Sequence, residues 1–255
     1  MVGLSTPVLA LLGLFGLAGG IGITAVGPGG ILPTIGLFAL TGLSPAEVAG
    51  TAIVTHIATG VLATAAYTRS GQLRELETRR TAVILAVTAV IGTPLGVLLN
   101  TFVSQRVFGV VLGVLVTVVA ALVAYREHRA CASARAHPAA LLVVALGLAV
   151  AVASGIVGIG GPMLTVPLLV ALGVPVLESL ASAQAQSVTI ATVGTLGYIA
   201  HGVIDWPLAA LVGIPELAGV LLGWRIAHAL PTRSLKYALI ITLLALAPYL
   251  AFCAE

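Results

Sequence analysis

A chain of 255 residues that is 60% hydrophobic, only 7% charged and has a mean hydropathy of +1.19 is not a soluble domain. Runs of about 20 apolar residues, each long enough to cross roughly 30 Å of hydrocarbon, recur along it and set the fold class as an all-α polytopic membrane protein. The net charge of +3 and pI near 9.2 do not describe a nucleic-acid surface, because Lys and Arg lie in short loops, where their excess reports membrane orientation.

The first 20 residues carry no Lys or Arg and no convincing cleavage site, so they are expected to remain as a first span over 7–25 rather than be removed as a signal peptide. That span ends in Gly19, Gly20 and Gly22, which let another backbone come close. The stretch Gly27-Pro28-Gly29-Gly30-Ile31-Leu32-Pro33 then interrupts it. Inside a helix each Gly costs about 1 kcal/mol relative to Ala and each Pro about 3, so the helix breaks here. In hydrocarbon, broken backbone survives only where protein covers it or a polar cavity receives it. A short apolar piece over 30–42 follows, about 20 Å long if helical. It is either a re-entrant half-helix or a short crossing. Ser44-Pro45-Ala46-Glu47 reads as a capping box that starts a helix running to Arg69.

A basic loop over 69–80 holds Arg69, Arg74, Arg79 and Arg80 against Glu75 and Glu77, and spans are expected at 81–99 and 106–125. A second basic segment, 126–138, carries Arg126, Arg129 and Arg135 against Glu127. The layout then returns: a span at 139–157, a break at Gly158-Ile159-Gly160-Gly161-Pro162, a short piece at 162–173, a helix over 176–200, and spans at 206–229 and 235–253.

Adding 131 to a position in the first half pairs Gly16 with Gly147, Gly27 with Gly158, Gly29 with Gly160 and Gly30 with Gly161. The same offset pairs Thr34 with Thr165, Gly42 with Gly173, Glu47 with Glu178, Thr64 with Thr195, Tyr67 with Tyr198, Gly71 with Gly202 and Gly92 with Gly223, without a gap over about 75 residues. The chain therefore reads as two homologous repeats of about five helical segments, 1–125 and 139–255, joined by a basic cytoplasmic linker, 126–138. Loops 69–80 and 126–138 are net basic and read as cytoplasmic; 201–205, the counterpart of the first, has no Lys or Arg and reads as outside; Arg233 and Lys236 read as inside. Equivalent loops on opposite sides require inverted repeats, provided each short piece counts as a crossing; re-entrant pieces would make the repeats parallel.

Where a helix restarts after a break, free N–H groups and the positive dipole end face whatever occupies the cavity, which favours an anion. The candidate substrate-binding residues are Gly27, Gly29, Gly30, Gly158, Gly160 and Gly161 at the breaks, with a polar ladder of Thr51, Thr55, His56, Ser182, Gln184, Gln186 and Ser187 just beyond them. The plain structural reading of the ladder is glue between helices. Charged residues inside spans are expensive and default to function. Glu216 and Arg225 are such residues, nine apart and so on opposite faces. Arg225 has an easy escape to the interface; Glu216 has none and is a candidate for a partner elsewhere or for a coupling proton. His56 is mid-helix, with Ser187 as its repeat counterpart. Tyr67 and Tyr198 fall at helix ends and suit interface belts. Cys131 and Cys253 have no metal or redox spacing, no cofactor motif is present, and Asp205, the one Asp, is in a loop, so no enzyme pattern emerges.

The run Gly158-Ile159-Gly160-Gly161-Pro162-Met163-Leu164-Thr165-Val166-Pro167, the Gly173-Val174-Pro175 turn and Gly197-Tyr198 before Gly202-Val203-Ile204-Asp205 resemble the TauE/SafE sulfite-exporter family. In the first half the likeness runs through Gly42-Leu43-Ser44-Pro45, Glu47, Gly50-Thr51 and Tyr67 to Gly71. The first break departs from the pattern, with Pro28 inside its glycine run and Pro33 displaced relative to Pro167. The resemblance implies secondary transport of sulfite or an organosulfonate, and a bacterial or archaeal plasma membrane is the expected location. With no ATP motif present, coupling to an ion gradient (a proton or sodium) or facilitated diffusion is left. The residues alone support a small anion held between two facing helix starts. A permease or channel for another small solute, and a membrane scaffold or assembly factor, stay open, as do the transport direction and a homo-oligomeric state.

Overall fold

The computed structural model describes residues 4–128 and 138–229; the expected span 235–253, most of the 126–138 linker, Cys131 and Cys253 lie outside these residues. Nine helices are described: α1 (Thr6–Ala25), α2 (Leu32–Leu40), α3 (Pro45–Arg69), α4 (Leu76–Asn100), α5 (Gln105–His128), α6 (Ala140–Val157), α7 (Pro162–Ala171), α8 (Val176–Ala200) and α9 (Trp206–Ala229). Five of them (α1, α3, α4, α6 and α9) are long and apolar enough to cross a membrane. Apolar side chains such as Val83, Val87, Ile91 and Leu95 on α4 are exposed, as a lipid-facing surface requires.

The expected boundaries hold closely, with three shifts. Helix α5 runs on to His128, so Arg126 and Glu127 belong to it and not to the linker. The first break is a turn of 3-10 helix, Pro28–Ile31, that leads directly into α2, so the short apolar piece is shorter than 30–42. Helix α4 begins at Leu76 instead of 81, so Arg79 and Arg80 are part of it and not of the loop. Glu77 in its first turn explains the early start, since a carboxylate there complements the helix dipole. At α3 the capping box is formed in full: the Glu47 backbone N–H donates to Ser44 Oγ at 3.4 Å, and the Ser44 N–H donates to the Glu47 carboxylate at 2.8 Å.

Close backbone approaches give the directions of the helices. Helix α2 folds back along α1: Gly19 faces Pro33, Gly22 faces Gly29, and Phe15 faces Gly36. Helices α1 and α9 lie parallel, with Gly16 against Val212 and Gly20 against Glu216; a Cβ on Gly20 would run into the Glu216 carbonyl oxygen. Helices α4 and α6 also lie parallel, with Gly92 against Ala151 and Gly96 against Gly155. In contrast, α3 and α8 cross antiparallel, Gly50 meeting Tyr198 and Gly60 meeting Val188. Helix α8 is the long described helix with most hydrogen-bonding side chains, and it is packed among α3, α4 and α7. These neighbours bury Ser182, Gln184, Gln186 and Ser187 and make their polarity tolerable, while Leu196 and Ile199 further along stay exposed.

Tyr67 and Tyr198 are 0% and 1% exposed, so they are not in interface belts. The Tyr67 hydroxyl donates to the Thr24 carbonyl and the Tyr198 hydroxyl to the Gly155 carbonyl, both at 2.7 Å.

Candidate functional site

Both breaks are built from left-handed backbone. Gly27 has φ 107° and Gly158 φ 74°, values that L side chains rarely adopt. A Cβ on Gly158 would also strike the Ala49 backbone of α3, so this turn accepts glycine alone on two grounds. The breaks are brought together. Gly27 lies against Val166 and the Pro162 carbonyl of the second break, and the Thr34 hydroxyl donates to the Gly158 carbonyl at 3.3 Å. The tip of Ile23 stands between them, 2.9 Å from where a Gly30 Cβ would be and 3.5 Å from the equivalent point on Gly160.

The polar ladder divides into two groups. Four members have their side-chain polar atoms occupied by protein. Thr51 Oγ1 accepts from the Asp205 N–H at 3.0 Å and ties α3 to the α8–α9 turn, while Thr55 donates to the Ala52 carbonyl within its own helix. Ser182 donates to the Thr78 carbonyl at 3.2 Å, joining α8 to α4. Gln186 accepts from Thr165 at 2.6 Å and donates to the Gly147 carbonyl at 3.4 Å.

The other three are buried at the breaks with polar atoms left over. Gln184 donates to the Ile23 carbonyl at 2.8 Å, but its Oε1 has no partner among the described residues. Ser187 Oγ also has none, and it faces Gly160, 2.7 Å from where a Cβ would be. His56 has its Cε1 edge 3.5 Å from the Cβ position of Gly30, and its Nε2 is without a partner. Buried polar groups are normally satisfied, and three residues with a free polar atom lie beside this pair of helix breaks. The N–H groups of Gly160 and Gly161 make no hydrogen bond within the described residues.

The ionisable residues separate cleanly. Arg225 is exposed, as a cation that reaches for the interface should be. Glu216 is 0% exposed, and its Oε1 lies 3.1 Å from His56 Nδ1, also 0% exposed. The contact is close enough for an ion pair, yet the two groups are not aligned as a hydrogen bond, and the second carboxylate oxygen has no partner among the described residues. A lone carboxylate at a helix centre costs about 3 kcal/mol on insertion scales, so the imidazole beside it is the group that makes Glu216 tolerable. Each residue stood out in the sequence; their pairing did not, because nothing local records that α3 and α9 touch.

Two curated relatives fit this architecture. A Bacillus subtilis (strain 168) protein named "Probable membrane transporter protein YdhB" is 30% identical over 100 residues, covering 39% of this chain and 41% of that protein. A Xylella fastidiosa (strain 9a5c) protein named "Probable membrane transporter protein" is 29% identical over 153 residues, covering 58% of each. The chain thus spans about half the length of the curated relatives it matches. No solved structure matches it. The family described as "Sulfite exporter TauE/SafE" matches residues 11–250, which takes in both breaks, the ladder and the His56–Glu216 pair. With nearly its whole length matched, this helical integral plasma-membrane protein belongs to the TauE/SafE family.

Proposed function

We propose that the protein is a secondary membrane transporter of small anions, with sulfite or an organosulfonate as cargo, working by alternating access between two inverted repeats and without a catalytic step. The observation that carries this reading is the meeting of the two glycine breaks around Ile23, with Ser187 Oγ, His56 Nε2 and the Gly160 and Gly161 N–H groups free to donate. Backbone donors at the second break, with side-chain donors from α3 and α8, suit an oxyanion. The site is therefore narrower than the ladder: His56, Ser187 and the backbone of Gly160 and Gly161 hold the anion, and Thr51, Thr55, Ser182 and Gln186 hold the helices. Gln184, whose Nε2 is spent on the Ile23 carbonyl, keeps only the acceptor Oε1 for a ligand proton or water. The antiparallel crossing of α3 with α8, whose residues correspond at the 131-residue offset, supports inversion. The sulfur oxyanion comes from the family resemblance, and the coarser class, a small anion, from the site.

The test is uptake of radiolabelled sulfite into proteoliposomes holding the purified full chain, with taurine, sulfoacetate, sulfate and thiosulfate as competitors. Saturable uptake blocked by one competitor class is expected. Ser187→Ala, which removes a hydrogen bond to a charged ligand, should raise the apparent KM about tenfold. No uptake of any of these anions above empty liposomes would remove the anion assignment.

A further inference from the structure

Resting on that reading, we infer that the coupling ion is a proton, bound by the buried His56–Glu216 pair and carried together with the anion. The imidazole spans the two functions. Its Nδ1 faces the Glu216 carboxylate at 3.1 Å, while its Cε1 edge packs against the first break and the adjoining Nε2 is free. An anion accepting from Nε2–H is thereby linked through one aromatic ring to a carboxylate on another helix.

Charge balance gives the direction of coupling. With one proton between them the pair is neutral overall, whether written as imidazolium and carboxylate or as imidazole and carboxylic acid. Without it the pair carries −1, and an incoming anion meets a like charge in a buried site of low dielectric. The proton enters from water on one side, forms an N–H bond on His56 or an O–H bond on Glu216 as the anion arrives, and is released to water on the other side as the anion leaves. One proton and one monovalent anion move together with no net charge.

Among the described residues, few other ionisable groups compete. Helices α1, α2 and α7 carry none. On α3 the others are Glu47, which caps the helix start, Tyr67, which donates to the Thr24 carbonyl, and Arg69, which is exposed at the far end. On α8 they are Glu178 in the first turn and Tyr198, which donates to the Gly155 carbonyl; on α9 they are Arg225, which is exposed, and His228. A hard cation such as sodium takes several oxygen ligands. Here the neighbour of the carboxylate is a ring nitrogen.

The experiment uses a monovalent alkanesulfonate, whose charge is constant over about pH 6 to 8, so that titration of the cargo cannot imitate titration of the protein. In proteoliposomes of the full chain, exchange of labelled against unlabelled alkanesulfonate is compared with net uptake driven by an acidic exterior. The wild type should accumulate the anion under the pH gradient, lose accumulation when the gradient is collapsed, and behave alike in sodium and choline media. In Glu216→Gln the ratio of gradient-driven uptake to exchange should fall about tenfold. Independently, calorimetry of anion binding in two buffers of different ionisation enthalpy should show about one proton taken up per anion by the wild type, and none by Glu216→Gln or His56→Gln. Exchange without pH-driven accumulation, a requirement for sodium, or no proton uptake on binding to the wild type would each overturn the proton assignment while leaving anion transport standing. Absence of exchange for every anion would remove both, and if the Glu216 variant does not fold, His56→Gln and wild-type calorimetry still decide.

Discussion

The two tyrosines show how single residues answer the cost of breaking a helix in hydrocarbon. The last carbonyls of any helix lack their partner four residues on, and in a membrane each unmet group costs several kcal/mol. At the first break the partner of the Thr24 carbonyl would be residue 28, which is Pro and has no N–H. At the second, the Ile159 N–H that would serve Gly155 is turned to the Ser154 carbonyl at 3.3 Å. The Tyr67 and Tyr198 hydroxyls supply the missing donors, each 43 residues from its acceptor. Tyr67→Phe and Tyr198→Phe should therefore each lower stability by about 1 kcal/mol, read from unfolding of the purified protein in mixed micelles. The two losses should be similar in size and additive. A silent variant would mean that its carbonyl finds another donor. Sequence alone places both tyrosines at helix ends but assigns them to the interface, because the need for an interior donor is visible only once the tyrosine and the orphaned carbonyl are seen side by side.

At the scale of elements, the helices were largely legible because their ends are chemically marked. Ser44-Pro45-Ala46-Glu47 starts α3, Gly-Pro breaks separate α1 from α2 and α6 from α7, and Pro175 precedes α8. The start of α4 was misplaced because Glu77, Arg79 and Arg80 look like loop residues until their place in a first turn is known. Which polar side chains on α3 and α8 are free could not be read at all, since a threonine that donates to its own helix and one that faces a cavity are identical in sequence. These two helices also frame an open groove of about 530 Å³, lined by Val61, Thr64, Ala65, Arg69, Ala185 and Val188 among others. Val188 packs on Gly60, and its chain neighbour Ser187 faces Gly160. If the groove is the inner access path, Ala185→Trp should slow anion uptake about tenfold while leaving the melting temperature within a few degrees of wild type. Val83→Trp, on the exposed face of α4, is the control and should leave uptake unaltered. Equal rates in both variants would place the access path elsewhere.

For the whole molecule, the deciding question is whether the two halves cross the membrane in opposite senses. The packing supports inversion: α2 returns along α1 instead of ending beside the break, α1 runs parallel to α9, and the counterparts α3 and α8 run antiparallel. Charge agrees at the connection after α3, which carries Arg69 and Arg74, against His201 to Asp205 after α8, which carries no Lys or Arg. The short α4–α5 connection, with Arg106 beside it, is a single charge and outweighed by those loops together with the basic linker. Ser70 and His201 are both exposed and correspond at the 131-residue offset, so cysteines there report one structural position in each half. With Cys131 and Cys253 first replaced by Ser, Ser70→Cys should react with an impermeant maleimide only after the membrane is opened, and His201→Cys in intact cells. Labelling of both from one side would make the halves parallel. The two helix starts would then face the same way along the membrane normal, and alternating exposure of one shared anion site by symmetric exchange of the halves would lose its structural basis.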